Sequence, residues 1–285
     1  MAASPTLRRR RLARELLRLR EEAGLTAKQA AAEAKKAAPD KSWFEAKITR
    51  IETRKLLRVK DADLQVLLDV YGVSDPDQRE AYRKLAREAA TSGWWYGYRD
   101  ILGAGTYVDL ESEASRIRTY QVQHLPGLLQ TEAYARAMIR AGGVTSEEEV
   151  DRRVEVRMMR QHLLTRLDAP RLWAVIDETA FRKLPSDVAA DQIRHLLMVQ
   201  RPSLRVQVLP DLVGPHAGMD GSFVVLDFKS DPSAVYAEQV GGGGLLIEDT
   251  EQITIYETVL DHVQASALSV EDSRVWLEAR LNQLD

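Results

Sequence analysis

Apolar residues recur every three or four positions through the first ninety residues, with little strand signal anywhere among them. That period commits this part of the chain to short amphipathic helices. Residues 8–22, RRRRLARELLRLREE, place Leu12, Leu16 and Leu19 on one stripe, with Leu17 beside it. Gly24 then breaks the helix, as a glycine just past a C-terminus does. Thr26 is an N-cap candidate for the alanine-rich AKQAAAEAKKA, which favours helix strongly. Pro39-Asp40 marks a turn. Ser42 is placed to cap the next helix, with Glu45 completing a capping box. Residues 61–71 give another apolar face through Leu64, Leu67 and Leu68, and residues 75–90 one more. The expectation is five short helices.

The third of these runs through KITRIETRK, Lys47 to Lys55. Helical winding puts Ile48 and Ile51 on one face and Lys47, Arg50 and Arg54 on another. Charge is concentrated here. Residues 1–60 hold 17 Lys and Arg against 7 Asp and Glu, a net +10, whereas the rest holds 23 against 36, a net −13. A basic module on an acidic body is the footprint of local nucleic-acid contact. The alternative is a solvated helical face. Two helices joined by a turn, the second basic, are what is needed to cross a DNA backbone and enter a major groove about 12 Å wide. In that arrangement Ile48 and Ile51 dock on Leu16, Leu19 and Leu64. Thr26, at a helix N-terminus, offers a hydroxyl and an N–H to a phosphate.

GLTAKQAAAEA followed by KITRIETRK resembles the Xre or lambda-repressor-like helix-turn-helix family over about residues 8–73, whose pattern reads roughly G-L-T-Q-x-x-L-A then I-S-R-I-E-x-G-K. Ala27 stands where that family usually has glutamine, and Arg54 where it usually has glycine. The link between the two helices is about seven residues longer than usual, and Trp43 and Phe44 are read as packing it. The resemblance implies contact with double-stranded DNA through Thr26, Lys28, Gln29, Ser42, Glu45, Lys47, Thr49, Arg50, Arg54 and Lys55. Ala46 also falls where family members commonly contact bases.

The character changes at about residue 91. TSGWWYGYRDILGAGTY reads as a loop or linker over 91–108, and its aromatics suit either a recognition surface or packing at a hinge. A helical stretch is expected from about Asp109, with helices at 130–141, 146–167, 187–200, 248–265 and 269–284. Ser146 with Glu149 and Ser269 with Asp272 are capping candidates. Strands are expected at 172–177, 204–210, 221–228 and 234–240, each rich in β-branched or aromatic residues. The fold class is α+β: an all-α helix-turn-helix domain over 1–90, a hinge at 91–108, and a mixed domain over 109–285 with a small, mainly antiparallel sheet.

In order along the chain, DLESEASRIRTYQ, HLPGLLQTEAYARAMI, VEVRMMRQHLL, LWAVIDETAFRKL, VQVLPDLVGPHAGMDGSFVVLDF and VYAEQ resemble the domain of unknown function that follows an Xre-type helix-turn-helix in many actinomycete regulators, the WhiJ-like and toxin–antitoxin-like groups among them. The resemblance covers about residues 93–280. It implies a regulator paired with a small acidic partner protein encoded nearby, and no known ligand or reaction.

Catalytic and metal chemistry find little purchase. The five histidines (124, 162, 195, 216 and 262) are scattered, and none forms H-x-x-x-H. Asp177-Glu178 reads more readily as a capped strand end than as an acid/base pair. Gly241–Gly244 lacks the Lys-Ser/Thr of a P-loop and reads as a flexible loop or lid. Pro126–Thr131 is a turn feeding a helix that could line a pocket. No catalytic residue, cofactor or metal is expected. The absence of cysteine fits a reducing cytoplasm; no apolar run reaches membrane-helix length, and no secretory leader is evident. The expected function is a cytoplasmic, sequence-specific, homodimeric transcriptional regulator; an antitoxin-like module that sequesters a partner is the alternative.

Overall fold

The computed structural model describes residues 5–53, 58–91, 93–103, 105–239 and 244–284. They form two compact units, Met1–Glu113 and Ala114–Asp285. Among the described residues no helix is long and apolar enough to cross a membrane.

The first unit is all-helical: α1 (Pro5–Glu22), α2 (Ala27–Ala37), α3 (Glu45–Glu52), α4 (Asp61–Val70) and α5 (Pro76–Ala89), as the period of the sequence dictates. Gly24, with φ 69°, ends α1 in the left-handed region that only glycine enters freely. Leu12, Leu16 and Leu19 of α1, Ile48 and Ile51 of α3, and Leu64, Leu67 and Leu68 of α4 fill one core with Trp43 and Tyr71.

The segment read as a linker is largely structured. A 3-10 turn (Trp94–Tyr98) leads into α6 (Arg99–Leu102) and α7 (Thr106–Glu113), and all belong to the first unit. Trp95 explains this. Its indole is buried at 5% exposure and lies so close to Gly93 and Gly105 that a Cβ at either would overlap it. The glycines that suggest a loop thus serve to seat a tryptophan. The Thr6 N–H donates to Asp109 Oδ2 at 2.8 Å, joining α7 to α1. The neighbouring Trp94 and Tyr96 stay exposed.

The second unit is built on β1 (Arg116–Gln121), β2 (Arg171–Asp177), β3 (Leu204–Leu209), β4 (Phe223–Asp227), β5 (Ala234–Glu238) and β6 (Gly244–Ile247). They form one mixed sheet in the order β3-β2-β1-β4-β5-β6. The β1–β2 and β2–β3 pairings are parallel and the other three antiparallel. Crossovers through α8 (Glu132–Ala141) and α9 (Glu147–Gln161), then α10 (Glu178–Arg182) and α11 (Ala189–Val199), make the parallel half; α12 (Thr250–Ser266) and α13 (Val270–Asn282) follow β6. Ser146 and Ser269 cap α9 and α13 as expected.

Two strands are additions to the sequence reading. β1 begins where helix was expected to continue, and β6 starts within the glycine run at Gly244; Gly241–Gly243, read as a loop or lid, lie outside the described residues. Tyr120, Val175, Phe223, Val225 and Val235 on one sheet face meet Ile253, Leu260 and Val263 of α12.

Candidate nucleic-acid interface

Two links fix the pose of α3 on the first unit. Ile48 and Ile51, 1% and 3% exposed, sink into the shared core beside Leu16, Leu19 and Leu64, the docking expected from the sequence. The second link is an ion pair. Arg20 Nε meets Glu52 Oε1 at 2.7 Å and Nη2 meets Oε2 at 3.0 Å, while Nη1 donates to Leu25 O at 2.7 Å. The pair retains only 12% and 7% side-chain exposure. The Glu52 carboxylate raises the Arg20 pKa further. A bidentate fork of this kind fixes orientation as well as distance. It locks the C-terminal end of α3 to α1 and to the chain entering α2.

The outward face of α3 follows from these anchors. Glu45, Ala46, Thr49, Arg50 and Thr53 are exposed, the i, i+1, i+4, i+5, i+8 pattern of one helical face. Thr49 and Thr53 turn their hydroxyls back to Glu45 O (3.1 Å) and Thr49 O (2.7 Å). Arg50 is the exposed cation of this helix.

Lys47 does not share that face, and the grouping of Lys47 with Arg50 is corrected. Its Nζ lies 3.0 Å from Asp63 Oδ2 and 3.9 Å from the centroid of the Trp43 ring, and it donates to Ser42 O at 3.3 Å. A position three residues before Arg50 falls on the flank facing α4, where Asp63 neutralises it. Arg54 and Lys55 lie outside the described residues.

The capping box assigned to Ser42 does not form. Phe44 is the N-cap of α3 and makes no side-chain capping bond. The Pro39-Asp40 turn delays the helix until Glu45, so Ser42, exposed, sits two residues too early to reach a first-turn amide. The seven-residue link 38–44 is held by other means. Lys35 Nζ donates to Pro39 O (3.2 Å) and Lys41 O (3.4 Å), and Lys41 Nζ to Ala62 O (2.8 Å). Trp43 is buried as expected of a packing residue, but Phe44, read the same way, is 50% exposed at the entrance to α3.

At the start of α2, Thr26 caps as the sequence suggests, yet its donors are already used. The Thr26 N–H and hydroxyl donate to Gln29 Oε1 (2.8 and 2.9 Å), and the Gln29 N–H donates to Thr26 Oγ1 (3.2 Å). This closed box leaves the Ala27 and Lys28 amides as first-turn donors for an anion. Lys28 and Gln29 are exposed.

Sequence reasoning missed the Arg20–Glu52 lock and the exposed Phe44. A signal for the first existed. Glu52 follows Ile48 by one helical turn and adjoins Ile51, so its carboxylate had to enter the protein side and find a cation there. For Phe44 there was none, because its exposure depends on where α3 starts.

Residues 11–81 match a helix-turn-helix domain, and residues 104–279 match a domain of unknown function, DUF5753. No curated protein and no solved structure matches the chain. The helix-turn-helix domain is that of DNA-binding regulators, and the larger match spans more than half of the sequence; the chain belongs to the DUF5753 family, with a helix-turn-helix at its N-terminal side.

Proposed function

We propose that this protein is a sequence-specific transcriptional regulator whose α3 enters the major groove of double-stranded DNA. The observation that carries the reading is the outward face of Glu45, Ala46, Thr49, Arg50 and Thr53 on a helix locked to its scaffold by Arg20–Glu52. Helix pose decides which base edges a side chain reaches, and this pose is set by a buried core and a bidentate ion pair. Arg50 supplies the guanidinium suited to a guanine edge. Glu45, Thr49 and Ser42 are the polar groups beside it, and Phe44 is an apolar one suited to a thymine methyl. The α2 N-terminus takes a phosphate through the Ala27 and Lys28 amides, with Lys28 and Gln29 adding side-chain contacts. Arg54 and Lys55 follow in sequence as backbone contacts. Lys47 acts as a positioning residue.

A single unit of this kind reads few base pairs, so the protein acts as a homodimer on half-sites about 34 Å apart or a multiple of that. It works in the cytoplasm, and the sequence resemblance to WhiJ-like actinomycete regulators supports a sensing or partner-binding role for the second unit, with a small acidic protein encoded nearby as partner. The acidic body lends a second reading, an antitoxin-like module that sequesters such a partner.

Selection from a random duplex pool by the purified full chain tests the proposal. Enrichment of a pseudo-palindrome, with affinity falling steeply in salt, is the expected result. A pool that stays random after repeated rounds at low salt rejects it.

A further inference from the structure

Two neighbouring side chains at the start of α3 are explained neither by packing nor by contact with phosphates. Phe44, 50% exposed, is the one large apolar side chain left outside among the described residues of the helix-turn-helix match. Glu45 opens α3 and is exposed beside it. Among the described residues the Glu45 carboxylate meets no cation and accepts no hydrogen bond; the bond from Thr49 goes to its backbone oxygen. The first turn of a helix favours a negative charge. A surface that approaches a polyanion does not, so a free carboxylate here needs a further reason.

The chain holds both residues in place. Trp43, 8% exposed, takes the inward position and leaves Phe44 outside. Lys47 Nζ lies 3.9 Å from the Trp43 ring centroid and donates to Ser42 O at 3.3 Å. The Phe44 carbonyl accepts from the Lys47 N–H at 2.9 Å, and Lys41 Nζ ties the preceding link to Ala62 O at 2.8 Å. The N-terminal residues of a recognition helix are the ones that contact base edges. Consecutive Cα atoms are about 3.8 Å apart, close to the roughly 3.4 Å step along a DNA strand, so Phe44 and Glu45 can address a single base.

The chemistry of the two side chains narrows which base that is. In the major groove thymine shows a methyl group on C5, and Phe44 alone would accept it. Glu45 decides against thymine, because the group beside that methyl is O4, an acceptor that a carboxylate repels. Cytosine shows an N4 amine, the donor that a carboxylate accepts from, but it has no methyl for Phe44. A cytosine methylated on C5 carries both groups on one edge, the amine on C4 and the methyl on the adjoining carbon.

We propose that Phe44 and Glu45 together read 5-methylcytosine, so that the protein prefers its site methylated. The base donates from its N4 amine to the Glu45 carboxylate, and the Phe44 ring covers the methyl group. The inference rests on the entry of α3 into the major groove and concerns only which base its N-terminal end selects.

Two parallel selections by the full chain test it, one from an ordinary random duplex pool and one from a pool amplified with 5-methyl-dCTP. In the duplex enriched from the methylated pool, each 5-methylcytosine is then replaced singly by cytosine and by thymine, and binding is titrated. At one position loss of the methyl should weaken binding about fourfold, the worth of one buried carbon, and thymine should weaken it by about 5- to 150-fold. Phe44→Ala should erase the methyl preference. Glu45→Gln, whose amide can donate to O4, should erase the discrimination against thymine. The base series on the unaltered chain decides the matter if either variant does not fold. Equal binding with and without the methyl at every position, thymine bound as well as 5-methylcytosine, or a preference that survives its variant overturns the inference while leaving groove binding intact. Enrichment from neither pool rejects groove binding and this inference with it.

Discussion

Replacing Glu52 with alanine would strand the Arg20 guanidinium inside the first unit. The pair is buried to 12% and 7% side-chain exposure and is bidentate at 2.7 and 3.0 Å. Removing one partner of such a pair costs about 3–5 kcal/mol, mostly the penalty of an uncompensated charge. Arg20 keeps its bond to Leu25 O at 2.7 Å, which places the expected loss near the lower bound, about 3 kcal/mol. At 1.36 kcal/mol per tenfold, that is roughly a 150-fold rise in amide exchange wherever protection depends on the integrity of this unit. Hydrogen exchange with mass spectrometry, read on peptides covering α1 and α3, measures it without requiring the two-unit chain to unfold in one step. The combined change Arg20→Met, Glu52→Leu removes both charges and should recover most of the protection, because well-packed apolar replacements of a buried pair are often neutral. A rise below about tenfold in Glu52→Ala, or a double variant that exchanges as fast as the single one, would refute the claim that stranded charge is the cause.

Three further outcomes are expected. Arg50→Ala should lower affinity for a selected site by about 1–3 kcal/mol and relax preference at one base position; equal losses on all sequences in a binding titration would make Arg50 a phosphate contact instead. Lys47→Ala should cost about 1 kcal/mol of stability through Asp63 and Trp43 while changing DNA affinity less than Arg50→Ala does, and the reverse order in paired denaturation and binding assays would contradict its positioning role. His124, whose pKa is raised chiefly by its bond to Glu238, should stabilise the second unit fully below the ordinary histidine value of about 6.5 and lose that contribution as pH rises through the higher folded value. A Tm–pH profile of His124→Gln should lack this component, and superimposable profiles would discount the pair.

The helices of the first unit were legible because their cause is local: apolar period, Gly24, and a cap at Thr26 all lie within a few residues of what they specify. Strands β2 to β5 were legible for the same reason. β1 was not. Its sequence, RIRTYQ, follows a helix-favouring acidic stretch, and its arginines are balanced by Asp227, with Arg116 Nε at 2.7 Å and Arg118 Nη2 at 2.9 Å, from more than a hundred residues away. A polar residue in a central strand becomes intelligible only beside the partner that satisfies it.

The same division runs through the candidate interface. The sequence alone determined that a helix bearing Ile48, Arg50 and Ile51 would bury its isoleucines and leave Arg50 outside. Only the tertiary structure decided that Lys47 would be drawn to Asp63, that Thr26 would spend its donors on Gln29, and that Phe44 would stand exposed where α3 begins. Periodicity assigns a residue to a face of its own helix; which charge meets it there depends on elements brought together by folding, and that pairing is set by distance in space.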